Sequence, residues 1–310
     1  MALPFTGINA VLFDLDGTLA DSAPDLGGAA NTMRRKRGLP EVPLERLRPY
    51  ASHGARGLLG EAFGIGPGAP EYEAMRLEFL DTYERDLCVA TRLFDGIEAM
   101  IAALEQRGLR WGIVTNKAAR FTAPLVERLG LAGRAGAVVS GDTTAHAKPH
   151  PAPLLHAAAL MGAAPEACLY VGDDLRDIQA GRAALMGTIA AAWGYCADSK
   201  PESWGADVTV SLPHQLPGAD LRGRSRLRRQ LRVRRARHHI GHAGQPRACR
   251  DRTTDHRRRW PVELAHHVCR WQHRCLLHAI VQPVADSNTW RRRGQRRRPT
   301  RGRSRHTATP

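Results

Sequence analysis

Four short apolar runs restrict this chain more than any other feature: "AVLFDL" (10–15), "RWGIVT" (110–115), "GAVVS" (136–140) and "CLYVG" (168–172). Each is apolar at consecutive rather than alternating positions, which is how a strand buried on both faces reads. "GTIAAAWGY" (187–195) and "ADVTVS" (206–211) extend the set. Between the runs, apolar residues recur at helical spacing, as at Ile97, Met100, Ile101 and Leu104, at Leu125, Val126 and Leu129, and at Leu154, Leu155, Ala158 and Ala159. These segments stop at Gly108, Gly130 and Gly162. Strands alternating with helices predict an α/β fold, a doubly wound, Rossmann-like parallel sheet.

One interval breaks the alternation. Residues 21–91 hold no strand-like run but three helical candidates, "DLGGAANTMRRKR", "PLERLRPYASHGARGLLGEAF" and "PEYEAMRLEFLDTYERDL", the second interrupted around Ser52–Gly54. An all-helical block placed directly after the first strand is expected to form a cap over the crevice at the strand ends. The core then comprises residues 1–20 and 92–216, and the cap residues 21–91. The run Arg34-Arg35-Lys36-Arg37 reads as a solvated helix end, where cations are favoured.

Residues 217–310 are unlike the rest. Residues 1–220 carry 20 basic against 26 acidic side chains, whereas 221–310 carry 26 against 4, and all 26 of those are Arg. Arg without Lys, among scattered Trp, Cys, His and Pro and with no apolar period, reads as a disordered or out-of-frame tail. Its alternative is a basic arm that binds nucleic acid, for which the absence of Lys is unfavourable. No Cys pair forms a CxxC, and "HHVCRWQHRC" (266–275) lacks the spacing of a metal site. The start, "MALPFTGINA", has neither a basic patch nor a long apolar stretch, so no membrane partner and a cytoplasmic protein are expected.

In an open α/β sheet the site lies beyond the carboxyl ends of the strands. The first four runs end at Asp14-Leu15-Asp16, Thr115-Asn116-Lys117, Ser140-Gly141-Asp142 and Gly172-Asp173-Asp174, with Lys148-Pro149 in the loop after the third. Acids, a hydroxyl, amides and a lysine thus converge on one edge.

In order and spacing, "DLDGT" (14–18), "VTN" (114–116), "KP" (148–149) and "VGDDLRD" (171–177) resemble the four motifs of the haloacid dehalogenase superfamily. Within it, "RLFDG" (92–96), "WGIVTNKAARF" (111–121), "VGDDLRDIQAGR" (171–182) and "WGAD" (204–207) are similar to the phosphoglycolate phosphatase group. They are closest to the branch that acts on N-acetylmuramic acid 6-phosphate.

The resemblance implies a Mg²⁺-dependent hydrolase of a small phosphorylated metabolite. Asp14 would be the nucleophile, forming an aspartyl-phosphate. Asp16 would protonate the leaving alcohol and later deprotonate water. Gly17, directly after the two acids, would permit a sharp turn there, with the Thr18 hydroxyl fixing it. Thr115 and the backbone amide of Asn116 would hold the phosphoryl oxygens, and Lys148 would balance their charge. Asp14, the backbone carbonyl of Asp16 and Asp173 would bind Mg²⁺, with Asp177 orienting metal waters or Lys148. Asp174 reads as a helix N-cap.

Arg56 is the cap residue expected to reach a substrate carboxylate, with a solvated helix charge as the alternative, and His53 has the same two readings. Both N-acetylmuramic acid 6-phosphate, the first expectation, and 2-phosphoglycolate, its alternative, carry a carboxylate. Asp16 together with Asp173 argues against a dehalogenase, and a mutase would need a second phosphate site that is not evident.

Overall fold

The first strand shows why the chain folds as two layers of helix around a sheet. In β1 (Ala10–Phe13) every side chain is buried. Val11 and Phe13 pack with Ile97, Ile101 and Leu125, whereas Ala10 and Leu12 pack with Leu154 and Ala180 on the opposite face. A strand that is apolar at consecutive positions feeds both layers, and each large side chain so buried contributes about 1.5–3 kcal/mol.

The computed structural model describes residue 5, residues 7–196 and residues 199–216. The readings made above of the Arg-rich tail lie outside the described residues. After β1 the chain turns through Gly17 into β2 (Ala20–Asp21). It then enters an insertion made of α1 (Ala23–Lys36), α2 (Leu44–Leu47), a 3-10 stretch Arg48–His53, α3 (Gly54–Phe63) and α4 (Tyr72–Arg85). It returns at β3 (Arg92–Leu93), antiparallel to β2, a short ribbon that sequence patterning does not reveal. There follow α5 (Ile97–Gln106), β4 (Arg110–Val114), α6 (Ala119–Arg128), β5 (Val138–Val139), α7 (Ala152–Leu160), β6 (Cys168–Gly172), α8 (Leu175–Ala183), β7 (Gly187–Ala191) and β8 (Val208–Val210).

The six core strands are parallel in the order β5-β4-β1-β6-β7-β8. The chain winds one way from β1 to β5, then crosses back to place β6 on the other side of β1. That reversal puts the crevice at the carboxyl end of β1. Phe13 is in register with Ile113 on one side and Val171 on the other. The residues just beyond these pairs therefore leave the sheet at one edge.

The insertion has its own apolar cluster, including Leu26, Met33, Leu47, Leu58, Phe79 and Tyr83, joined by Phe121 and Tyr195 from the core. Two buried polar groups tie it down. Asp25 in α1 accepts hydrogen bonds from the amides of Ala90 and Thr91 and from the Thr91 hydroxyl, at 2.8, 2.9 and 2.6 Å, which joins the insertion's entry to its exit. At the start of α1 no side chain of the helix itself provides a cap. Instead the Tyr195 hydroxyl, from the loop after β7, accepts from the amides of Ser22 (2.7 Å) and Ala23 (2.9 Å). The expected helix break spans Arg48–His53, and α3 begins at Gly54, whose φ of 56° suits glycine.

Candidate active site

Asp14 follows β1 directly and is buried. Its Oδ1 accepts from the Leu15 amide at 2.8 Å and faces Lys148 Nζ at 2.9 Å. Lys148 is itself surrounded: Asp177 Oδ1 and the Tyr170 hydroxyl lie at 2.8 Å, and the Val114 carbonyl at 3.1 Å. The side chain of Asn116 fixes the lysine's backbone from both sides, donating to the Lys148 carbonyl at 3.0 Å and accepting from its amide at 2.9 Å. Sequence reasoning anticipated the Asn116 backbone amide but not this clamp by its side chain.

Asp173, just past β6, is fully buried. Thr18 donates its hydroxyl to Asp173 Oδ1 at 2.8 Å, while the Tyr195 amide (3.0 Å) and the Ser52 hydroxyl (3.3 Å) donate to Oδ2. This corrects the expectation for Thr18, whose hydroxyl serves Asp173. The turn is held by backbone bonds, Gly17 N to the Ala20 carbonyl and Ala20 N to the Leu15 carbonyl. Gly17 has φ 87°, and a Cβ there would lie 2.1 Å from Asp173 Oδ2. Asp174 is the N-cap of α8, in a capping box with Asp177.

The carboxylates of Asp14, Asp173 and Asp177 bring ligand atoms within 4.8 Å of one another. Burial pushes the Asp14 carboxyl up to about 7, Lys148 opposing the rise and Asp177 adding to it. Burial, then the charges of Asp14 and Asp177, raise Asp173 well above the ordinary carboxylate range. Lys148 faces two of these acids; burial works against its charge, but Asp14 and Asp177 outweigh that and raise its pKa above that of a free lysine. A cluster with more buried acid than base, made only of oxygen donors, fits a hard divalent cation.

Asp16 stands apart from that cluster. Lys117 Nζ lies 3.0 and 3.2 Å from its two oxygens, and the Ser22 hydroxyl donates to Oδ1. Burial would lower the Lys117 pKa, but Asp16 and Tyr83 more than compensate and keep it charged. The ammonium also sits 4.7 Å from the Tyr83 ring centroid, on α4 of the insertion. Thr115 is buried, and its Oγ1 accepts from the Lys117 amide at 3.1 Å.

A cavity of about 180 Å³ opens here. Of the residues singled out from the sequence, Asp173 does not line it, whereas Asp14, Asp16, Thr115, Asn116, Lys148 and Asp177 do. So do Ser52 and His53 from the 3-10 stretch, together with Lys117, Asp174 and Arg176. Arg56 is exposed on α3 and does not line the cavity. Lys117 and Arg176 are not among the residues expected from the sequence, although they lie within "WGIVTNKAARF" and "VGDDLRD". Asp16, the partner of Lys117, is 101 residues away, whereas Arg176 is held by Asp174 two residues before it and by the Ser52 carbonyl 124 residues away.

A model of the haloacid dehalogenase-like hydrolases matches residues 8–184. The chain is 46% identical over 210 residues to the N-acetylmuramic acid 6-phosphate phosphatase of Pseudomonas aeruginosa, covering 67% of this chain and 93% of that one. It is 50% identical over 208 residues to a phosphoglycolate phosphatase of Xanthomonas campestris pv. campestris, covering 67% and 94%. Among solved structures it resembles that of a predicted phosphoglycolate phosphatase from Haemophilus somnus 129pt. The TM-score is 0.60 at 26% identity, over 68% of this chain and 97% of that one.

Proposed function

The chain belongs to the haloacid dehalogenase-like hydrolases and is a phosphatase; we propose that it hydrolyses N-acetylmuramic acid 6-phosphate through an aspartyl-phosphate at Asp14, with Mg²⁺ as its metal and the helical insertion as a cap. One observation supports the chemistry above all: two acids two residues apart have separate cations, Lys148 on Asp14 and Lys117 on Asp16. Lys148 thereby sets the orientation of Asp14 for attack, and Lys117 sets where the Asp16 carboxyl stands, the position from which it would give and take its proton.

Asp14, Asp173 and the backbone carbonyl of Asp16 would hold the metal, with Asp177 beside them. Bound there, Mg²⁺ screens the repulsion between a carboxylate and a dianionic ester. Asp14 Oδ1 is occupied by Lys148 and Leu15, so Oδ2 attacks phosphorus. The bond from phosphorus to the ester oxygen breaks as Asp16 gives that oxygen its proton. Asp16, now ionised, takes a proton from water, whose oxygen displaces Asp14 and releases inorganic phosphate. Thr115 and the Asn116 amide hold the phosphoryl oxygens, and Lys148 offsets their charge.

The muramic substrate is supported by the Pseudomonas aeruginosa relative and by a second from Pseudomonas putida, 44% identical over 210 residues. A second reading, 2-phosphoglycolate, is favoured by the cavity. At about 180 Å³ it is below the ~300–1,000 Å³ typical of pockets for larger ligands. An amino sugar bearing a lactyl ether would need the insertion to stand further from the core.

Phosphate release from both esters, with Mg²⁺ and after chelation, tests the proposal. The muramic ester should give a kcat/KM at least tenfold higher, lost on chelation and restored by Mg²⁺. The reverse ratio would select phosphoglycolate, and no release from either would refute both.

A further inference from the structure

Three fully charged side chains of positive sign line the cavity, Lys117, Lys148 and Arg176. Two are committed. Lys148 has four oxygen partners within 3.1 Å for three N–H bonds, and Lys117 spans both oxygens of Asp16. Arg176 differs. Its Nε and Nη2 donate to the two oxygens of Asp174 at 2.9 and 2.7 Å, and Nη2 also donates to the Ser52 carbonyl at 2.9 Å. Nη1 has no partner among the described residues. The fork is thus fixed along one edge, with the side chain 32% exposed, and open at another.

Arg176 is also keyed to the phosphoryl end of the cavity. Asp174, which holds the guanidinium, donates its amide to Asp177 Oδ2 at 3.1 Å, and Asp177 Oδ1 faces Lys148. A short chain of hydrogen bonds therefore sets the position of the guanidinium relative to Asp14. The Ser52 carbonyl adds a contact from the insertion. A second anionic group at a set distance from a phosphate would meet a preorganised donor here, at little cost in side-chain order.

We propose that Arg176, from the core, is the specificity-determining residue that receives the substrate's carboxylate, the role that its sequence context suggested for Arg56. This rests on the reading of the chain as a phosphatase of a carboxylate-bearing ester. A charged hydrogen bond made equally in the ground and transition states should act on KM more than on kcat.

The test uses two matched pairs, N-acetylmuramic acid 6-phosphate with N-acetylglucosamine 6-phosphate, and 2-phosphoglycolate with ethyl phosphate. Within each pair the second ester lacks the carboxylate. The full chain, Arg176→Met and Arg176→Lys are assayed with Mg²⁺. Wild type should prefer the carboxylate-bearing member of the pair that it hydrolyses.

Arg176→Met should reduce that preference about thirtyfold, chiefly through KM. Arg176→Lys, which keeps the charge but loses the fork, should retain part of it. An equal loss on both members of the pair would make Arg176 a structural contact and overturn the proposal, as would an unaltered preference in either variant. If wild type turned over none of the four esters, the substrate reading itself would fail and the proposal with it. Failure of Arg176 alone leaves wild-type turnover intact, so the two outcomes are distinct.

Discussion

Lys117 holds both carboxylate oxygens of Asp16, at 3.0 and 3.2 Å, across 101 residues of sequence. General acid–base catalysis by a positioned group is worth about 10²–10⁴ in rate, and a carboxylate held only by Ser22 would forfeit part of that. Lys117→Met should lower kcat on an alkyl phosphate about ten- to hundredfold. The loss should be smaller on p-nitrophenyl phosphate, whose leaving group departs without a proton. Equal losses on the two substrates would show that Lys117 does not act through Asp16.

Gly17 is required twice over, by its φ of 87° and by the 2.1 Å that would separate a Cβ from Asp173 Oδ2. The backbone effect alone costs about 1–3 kcal/mol. Gly17→Ala should therefore lower the denaturant midpoint, and it should raise the Mg²⁺ concentration for half-maximal activity at least tenfold. A variant with wild-type metal dependence would mean that the Gly17–Asp173 contact plays no part in the metal site.

Tyr195 joins two regions through different atoms. Its amide serves Asp173, and its hydroxyl caps α1 of the insertion. Tyr195→Phe removes only the second link and should cost about 0.5–2 kcal/mol, as the loss of a helix cap does. Urea unfolding measures the loss. Because the amide remains, the Mg²⁺ dependence should shift far less than in Gly17→Ala, and an equal shift would contradict the separation of the two roles.

Much of this arrangement was legible because buried parallel strands announce themselves by consecutive apolar residues, and such strands present their next residues at one edge. Asp14, Thr115 and Asp173 are placed by that rule alone. What stayed hidden depends on contacts distant in sequence or on helix rotation. Nothing local indicates that the Tyr195 hydroxyl reaches Ser22, 173 residues away. The β2–β3 ribbon is two residues on each strand, too short for any periodicity. Arg56 lies on the helix after the predicted break, and the turn that carries Ser52 and His53 inward leaves Arg56 in solvent.

The most direct test is of a phosphorus bond to Asp14. Wild-type enzyme quenched in acid within milliseconds of mixing with ³²P-labelled substrate and Mg²⁺ should carry label, released by hydroxylamine, on the peptide that contains Asp14. Asp14→Asn should carry none and should lose at least three orders of magnitude in kcat. Label on any other residue, or undiminished turnover by the Asn variant, would contradict the mechanism.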